Sequence, residues 1–194
     1  MRTPWGNAHS VTYYDPERKI VHVSTASHGG IGVDLAVDMP AHLAAIGECD
    51  GKRRWFEEDE ACAAVIIAFP HFFSANVVEQ AKETLKNWRP EAYMVHFGVT
   101  LGPADSHVLE KRAWEHASFD NFVSTAVWND AFWDIPSGYV YAAGFRKRDE
   151  AVAGFLVPRS KCTNASRLVL DGFPRWEPDR TKPYCKPPLA ECAA

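Results

Sequence analysis

The chain has 194 residues, of which 46% are hydrophobic and 24% charged, and it contains 7 tryptophans and 11 phenylalanines. This length fits one domain with a tail, and the aromatic content allows a core without disulfides or metal, which excludes a largely disordered protein. The formal net charge of -4 argues against a dedicated nucleic-acid-binding protein.

The charge is divided unevenly along the chain. Residues 1–145 carry a net charge of -8, whereas residues 146–194 carry +4. An acidic body with a basic tail can hold the tail on its own surface or offer it to an acidic partner. We therefore predict no nucleic-acid binding for the body and leave it open for the tail.

The sequence predicts neither a targeting signal nor a membrane segment. The first ten residues are polar, and the longest apolar run, residues 61–69, is too short to cross a bilayer. The five cysteines lack paired spacing, which favours free thiols in a reducing compartment. These features predict a cytoplasmic protein without a membrane segment.

The predicted elements begin with two β-favouring runs, residues 11–14 and 20–24, separated by Asp15-Pro16-Glu17-Arg18. Proline presets φ in a turn, so the pair predicts a hairpin. A short strand is expected at residues 31–33, and a brief helix between Met39 and Gly47.

Four acids at residues 57–60 precede the apolar run at residues 61–69. This order is typical of a buried helix whose N-terminus carries negative charge, although a buried strand remains an alternative for the apolar part.

Ser74 is a suitable N-cap for a helix that runs to Trp88 and stops before Pro90. Residues 92–99 alternate loosely between apolar and polar and predict a strand. Residues 106–116 predict another helix.

Three further strands are predicted at residues 122–127, 139–145 and 151–157. Strands at both ends therefore flank a helical middle, which favours an α+β fold over alternating βαβ units. In this fold an antiparallel sheet, built from the N-terminal hairpin and the C-terminal strands, packs against the helical middle segment. We predict one domain over residues 1–158 and a Pro-rich basic tail over residues 159–194 that wraps the surface or is partly disordered.

The segment Ser24-Thr25-Ala26-Ser27-His28-Gly29-Gly30 follows a predicted strand and is the first candidate site. His28 is a candidate general base, and Ser27 or Ser24 a candidate nucleophile. Gly29 and Gly30 are candidate binding residues, because glycines at positive φ can direct their amides at developing negative charge. The alternative is a tight turn whose polar groups satisfy one another.

The acidic run supplies the partners of His28. Glu57, Glu58 or Asp59 can orient the imidazole or ligate a metal ion, and Glu58 is the acid we select. On a helix, Glu57 and Glu60 would share a face. The alternative is a solvated helix start. His28 with two of these acids would form a divalent-metal cluster if the fold brought them together; the sequence alone assigns neither a metal nor a cofactor.

An aromatic segment, Trp128-Asn129-Asp130-Ala131-Phe132-Trp133-Asp134, is the third candidate. Trp128, Phe132 and Trp133 among acids are typical of a protein-binding hot spot rather than of a nucleic-acid platform, which needs arginine or lysine beside the rings. The alternative is a loop folded over the edge of the sheet with half-buried tryptophans.

Five short motifs resemble an uncharacterised bacterial family, a domain of unknown function spread among plasmids and phages of Proteobacteria. They are Thr3-Pro4-Trp5-Gly6, Ser24-Thr25-Ala26-Ser27-His28-Gly29-Gly30, Trp55-Phe56-Glu57-Glu58-Asp59, Ala68-Phe69-Pro70 and Leu85-Lys86-Asn87-Trp88-Arg89-Pro90. The resemblance runs from Thr3 to about Pro158. It implies a dispensable accessory role in a mobile element, such as modulating the host or countering a defence system, and it assigns no functional residues.

Two hypotheses follow. In the first, the chain is an accessory protein that binds, and inhibits, a host or counter-defence protein partner through the aromatic segment or the tail. In the second, it is a small hydrolase or transferase with His28 as general base and an acid from residues 57–60. The sequence does not decide whether the protein is an enzyme.

Overall fold

A computed structural model describes residues 1–182, and within them antiparallel strands are combined with α-helices. The strands are β1 (Arg2–Thr3), β2 (Gly6–Asn7), β3 (Ser10–Tyr13), β4 (Ile20–Ser24), β5 (Gly29–Asp34), β6 (Glu48–Asp50), β7 (Arg53–Glu57), β8 (Phe122–Asn129), β9 (Tyr139–Arg146) and β10 (Ala151–Pro158). The helices are α1 (Ala41–Ala44), α2 (Cys62–Ala68), α3 (Ala75–Trp88), α4 (Pro90–Phe97) and α5 (His107–Ala117). The predicted α+β class is confirmed.

The chain divides into two compact units, Met1–Ala113 and Trp114–Ala194. Each unit has its own sheet and its own buried cluster, so the N-terminal hairpin and the C-terminal strands lie in separate sheets. This division differs from the predicted single domain over residues 1–158 with a tail after it. No helix within residues 1–182 combines the length and the apolar character that crossing a bilayer requires.

The first unit is built on a five-stranded antiparallel sheet in the order β3-β4-β5-β7-β6. The predicted hairpin is confirmed as β3 and β4, and the Asp15 carboxylate closes its turn by accepting the amides of Lys19 and Ile20 at 3.0 Å and 2.6 Å. The strand expected at residues 31–33 lies within β5.

The two faces of this sheet bury different residues, because side chains alternate along a strand. Ile31, Val33 and Phe56 belong to the main core, where α2 and α3 supply Val65 and Leu85. The opposite face carries a smaller cluster of Val21, Val23 and Trp55, with Trp5 and Ala8 packed against it. The second face holds the candidate site.

Two predictions in the helical middle were wrong. Residues 92–99 lie mostly in α4, because Pro90 at its first position needs no amide partner and Gly98, with φ of 66°, caps its end. The buried helix predicted at residues 61–69 is confirmed as α2, but the acids at residues 57–60 do not form its first turn: Glu57 ends β7, where it pairs with Gly30, and α2 has no acid in its first turn. The helices predicted at residues 74–88 and 106–116 are confirmed as α3 and α5.

The second unit is built on a three-stranded antiparallel sheet in the order β10-β9-β8, which confirms the three predicted strands. Residues after Pro158 continue onto this sheet. Val169 bridges Val123 on one edge, Arg175 bridges Phe155 on the other, and Leu170 between them is completely buried in the core. The tail as far as residue 182 therefore forms part of this unit, and the tail residues 183–194 lie outside the described residues.

Basic residues of this tail pair with acids of the aromatic segment. Arg159 forms an ion pair with Asp130, and Lys182 lies 3.6 Å from Asp134. The asymmetric charge of the sequence is thus partly compensated within the second unit.

Candidate functional site

The ribbon of β1 and β2 places Trp5 on the sheet of the first unit. Thr3 pairs with Gly6 across a tight turn, in which the Thr3 hydroxyl donates to the Gly6 carbonyl at 2.8 Å and accepts the Trp5 amide at 3.2 Å. Gly6 has φ of 115°, a conformation that favours glycine. The Thr3-Pro4-Trp5-Gly6 motif is therefore a turn that presents an indole ring.

Two glycines of β5 leave room for two indole rings. A Cβ on Gly30 would overlap the ring of Trp5, and a Cβ on Gly32 would lie 2.6 Å from the ring of Trp55. The rings of Trp5 and Trp55 then meet edge to face, with centroids 5.9 Å apart and planes at 80°.

The prediction that Gly29 and Gly30 adopt positive φ and direct their amides at negative charge is wrong. Gly29 and Gly30 are buried strand residues that pair with Ser24 and Val23 of β4, and neither has positive φ. Because they lie in the ladder between β4 and β7, they do not form the proposed anion-binding turn. Their lack of a side chain matters for packing instead.

The indole pair forms one wall of a cleft of about 270 Å³. Its lining includes Trp5, Trp55, three carboxylates and one guanidinium; the charged residues are Glu48, Glu57, Glu60 and Arg89. Arg89 contacts Glu60, with Nη2 and Oε1 2.5 Å apart.

His28 contacts Glu57, one of the residues that line the cleft, and lies at the end of a turn held by Thr25. The Thr25 hydroxyl donates to the His28 carbonyl at 2.7 Å and accepts the His28 amide at 3.2 Å. The imidazole Nδ1 is 3.5 Å from Oε1 of Glu57, and 55% of the His28 side chain is exposed. Ser27 occupies the exposed tip of the same turn and is not part of this contact.

The strand register explains why residues so far apart in sequence meet. Glu57 lies opposite Gly30 in the β5–β7 ladder, and His28 immediately precedes β5, so this register brings the two residues close together. Glu58 follows, with its carboxylate lying against Gly29 where a Cβ would stand.

Three side chains thereby converge, from His28, Glu57 and Glu58. One ligand atom from each lies within 4.8 Å of the others, and imidazole with two carboxylates is a donor set suited to a divalent cation. The arrangement can therefore orient His28 for proton transfer or hold a metal ion.

The aromatic segment has a different environment, in the second unit. Trp128, Phe132 and Trp133 are half-buried, and Trp128 itself lies in β8. The ring of Trp128 lies 5.5 Å from that of Trp133 and 5.4 Å from that of Tyr141, while the Arg180 guanidinium lies 5.4 Å from the ring of Trp133. These rings mainly contact one another.

Apart from Glu57 and Glu60, the residues that line the cleft were not predicted from the sequence; they include Trp5, Trp55, Glu48 and Arg89. A signal for two of them was present, because Asp50-Gly51 between short runs is typical of a hairpin turn, and Gly51 indeed has φ of 64° between β6 and β7. That hairpin places Glu48 opposite Trp55.

The first unit is thus an α+β domain whose sheet carries an indole-lined cleft with a histidine and acids at its margin. The chain belongs to the family described as Domain of unknown function (DUF7007), whose model matches residues 1–119. No curated protein and no solved structure matches this chain.

Proposed function

We propose that this protein is a small enzyme of the hydrolytic or group-transferring class, with His28 as general base, Glu57 as orienting acid and the Trp5–Trp55 cleft as substrate site. The observation that carries the proposal is the 3.5 Å approach of His28 Nδ1 to Glu57 Oε1, because Glu57 also lines the cleft. A carboxylate at Nδ1 directs Nε2 of the imidazole towards a substrate or a water molecule.

The location of the family match supports this choice. The matched residues 1–119 include all of the cleft and the His28 turn, whereas Trp128, Phe132 and Trp133 lie beyond them. Four of the five motifs also supply residues to the site, namely Trp5, His28, Glu57 and Arg89.

Turnover of chromogenic carboxylic and phosphoric esters by the full chain tests the proposal. His28→Ala should lower kcat/KM by about 100-fold or more, the usual loss when a general base is removed. His9→Ala is the matched control, since His9 is an exposed histidine outside the site, and it should leave kcat/KM unchanged. Equal activity of both variants would contradict the proposal.

The convergence of His28, Glu57 and Glu58 favours a second version of the same site, in which the three side chains hold a divalent cation. In that case EDTA abolishes turnover and added Zn²⁺ or Mn²⁺ restores it. Turnover that EDTA leaves unchanged assigns the site to His28 and Glu57 without metal.

We also propose an accessory role in a plasmid or phage of Proteobacteria and a cytoplasmic location. Free thiols at Cys49, Cys62 and Cys162 support a reducing compartment. Inhibition of a host or counter-defence protein through Trp128 and Trp133 stays a prediction, and the contacts of these rings within the second unit do not favour it.

A further inference from the structure

The chemistry of the cleft wall restricts what it can bind. Trp5 is half-buried and Trp55 is 5% exposed, so Trp5 supplies most of the exposed aromatic surface and Trp55 supports it by an edge-to-face contact. The face of an indole ring carries negative electrostatic potential and attracts ammonium and guanidinium groups. Gly30 and Gly32 permit this arrangement, since neither ring could lie where it does over a larger residue.

The charge around the cleft points to the same class of ligand. Its lining carries three carboxylates against one guanidinium, and Arg89 is engaged by Glu60. Glu48 and Glu57 remain as net negative charge. The second carboxylate oxygen of Glu57 accepts the backbone amide of Asp59 at 3.1 Å, which holds the carboxylate in place.

We infer that the Trp5–Trp55 cleft binds an organic cation, an ammonium or guanidinium group on a short apolar stem, with the charge between the indoles and the carboxylates of Glu48 and Glu57. The volume of about 270 Å³ accommodates a small molecule or a single side-chain-sized group. The inference rests on the proposed function in that it takes the cleft as the substrate site, and it names the substrate class as cationic.

The test is an NMR titration of the full chain with two probes of equal shape, butylguanidinium and its neutral counterpart butylurea. The indole Nε1–H signals of Trp5 and Trp55 report binding. We expect butylguanidinium to shift these signals with a Kd at least tenfold lower than that of butylurea, and to lose affinity as salt is raised.

Variants locate the site. Glu48→Gln combined with Glu57→Gln keeps shape while removing charge, and it should raise the Kd of butylguanidinium by about fivefold or more. Asp38→Asn, at an exposed acid outside the cleft, should leave that Kd unchanged. Trp5→Leu retains bulk over Gly30 without the aromatic face and should weaken the cation while leaving butylurea unaffected.

Equal binding of both probes, binding unaltered in the Glu48→Gln/Glu57→Gln variant, or no shift of either indole signal would overturn the inference. The proposed function fails separately. Cation binding without turnover of any ester would support the inference and contradict the proposed enzymatic function. Equal turnover of cationic and neutral esters would support the enzymatic function and contradict the inference.

Discussion

Gly30 lies in β5 where β7 and the β1–β2 ribbon both pack against the strand. A Cβ at this position would overlap the carbonyl oxygen of Phe56 and the ring of Trp5, so both a neighbouring strand and the β1–β2 ribbon depend on its absence. Backbone oxygen atoms cannot rotate away as a flexible side chain can. A glycine is therefore required at this position because a side chain has no room there, and not because φ is positive.

Gly30→Ala should consequently destabilise the protein by about 1–3 kcal/mol or more, the cost of overpacking a close-packed interior. Urea denaturation followed by circular dichroism measures the change in the free energy of unfolding. Gly172→Ala is the matched control, because nothing lies within 4 Å of its Cβ position and its φ is not positive. Equal stability of the two variants would contradict this packing.

The sequence predicted which residue types form the site better than it predicted how those residues are arranged. His28 and the acids at residues 57 and 58 were candidate partners from the sequence, and the structure brings them together. Their meeting depends on the β5–β7 register, a pairing between distant segments that no local pattern encodes. Gly29 and Gly30 were misinterpreted, because a glycine needed for space and one needed for positive φ are identical in a sequence.

Helices α1 and α4 meet through a pair of histidines. Nε2 of His42 lies 3.1 Å from Nδ1 of His96, and the ring centroids are 5.3 Å apart. Partial burial of the ring, and to a lesser extent the nearby His42, lower the pKa of His96 below its usual value of 6.5. Both effects disfavour the charged form of His96.

Stability should therefore fall under mild acid. Because the pKa of His96 is lower in the folded state, the unfolded chain binds more protons below pH 6.5, and folding is disfavoured progressively as the pH falls through that value. The loss should stay below about 1 kcal/mol, since the ring is partly exposed. Urea denaturation at pH 7.5 and pH 5.5 measures it.

His96→Gln should reduce this pH-dependent loss, whereas His9→Gln, at an exposed histidine, should retain it. An unchanged pH dependence in His96→Gln would show that the pair does not contribute.

At the scale of elements, the sequence predicted α3 because the N-cap residue Ser74 and the stop before Pro90 agree. It failed for α4, whose eight residues Pro90–Phe97 show almost no apolar stripe. There the boundary residues Pro90 and Gly98 indicate the start and the end of a helix, whereas the loose alternation between them suggested a strand.

The molecule as a whole depends on two separate cores, and the second one includes residues from the tail. Leu170 is completely buried among Phe122, Phe155 and Gly144, where its side chain fills the space above the glycine. A proline-rich stretch with little periodicity gave no sign of this, because a single buried leucine forms no pattern.

Leu170→Ala should cost about 2–5 kcal/mol, as expected for a large-to-small change in a core. Urea denaturation followed by tryptophan fluorescence measures the loss, and three of the seven tryptophans, Trp128, Trp133 and Trp176, contact Tyr141 in the second unit. Val169→Ala, at a neighbour with 40% exposure, is the control and should cost far less. A small loss for Leu170→Ala would mean that the tail only rests on the surface.

The function proposed for the molecule requires His28 and Glu57 to act together, and a double-mutant cycle on kcat/KM measures this directly. If Glu57 acts by orienting His28, then His28→Ala and Glu57→Gln each lower kcat/KM, and the double variant stays within about threefold of His28→Ala alone. Losses that multiply, or a His28→Ala variant as active as the wild type, would contradict the account.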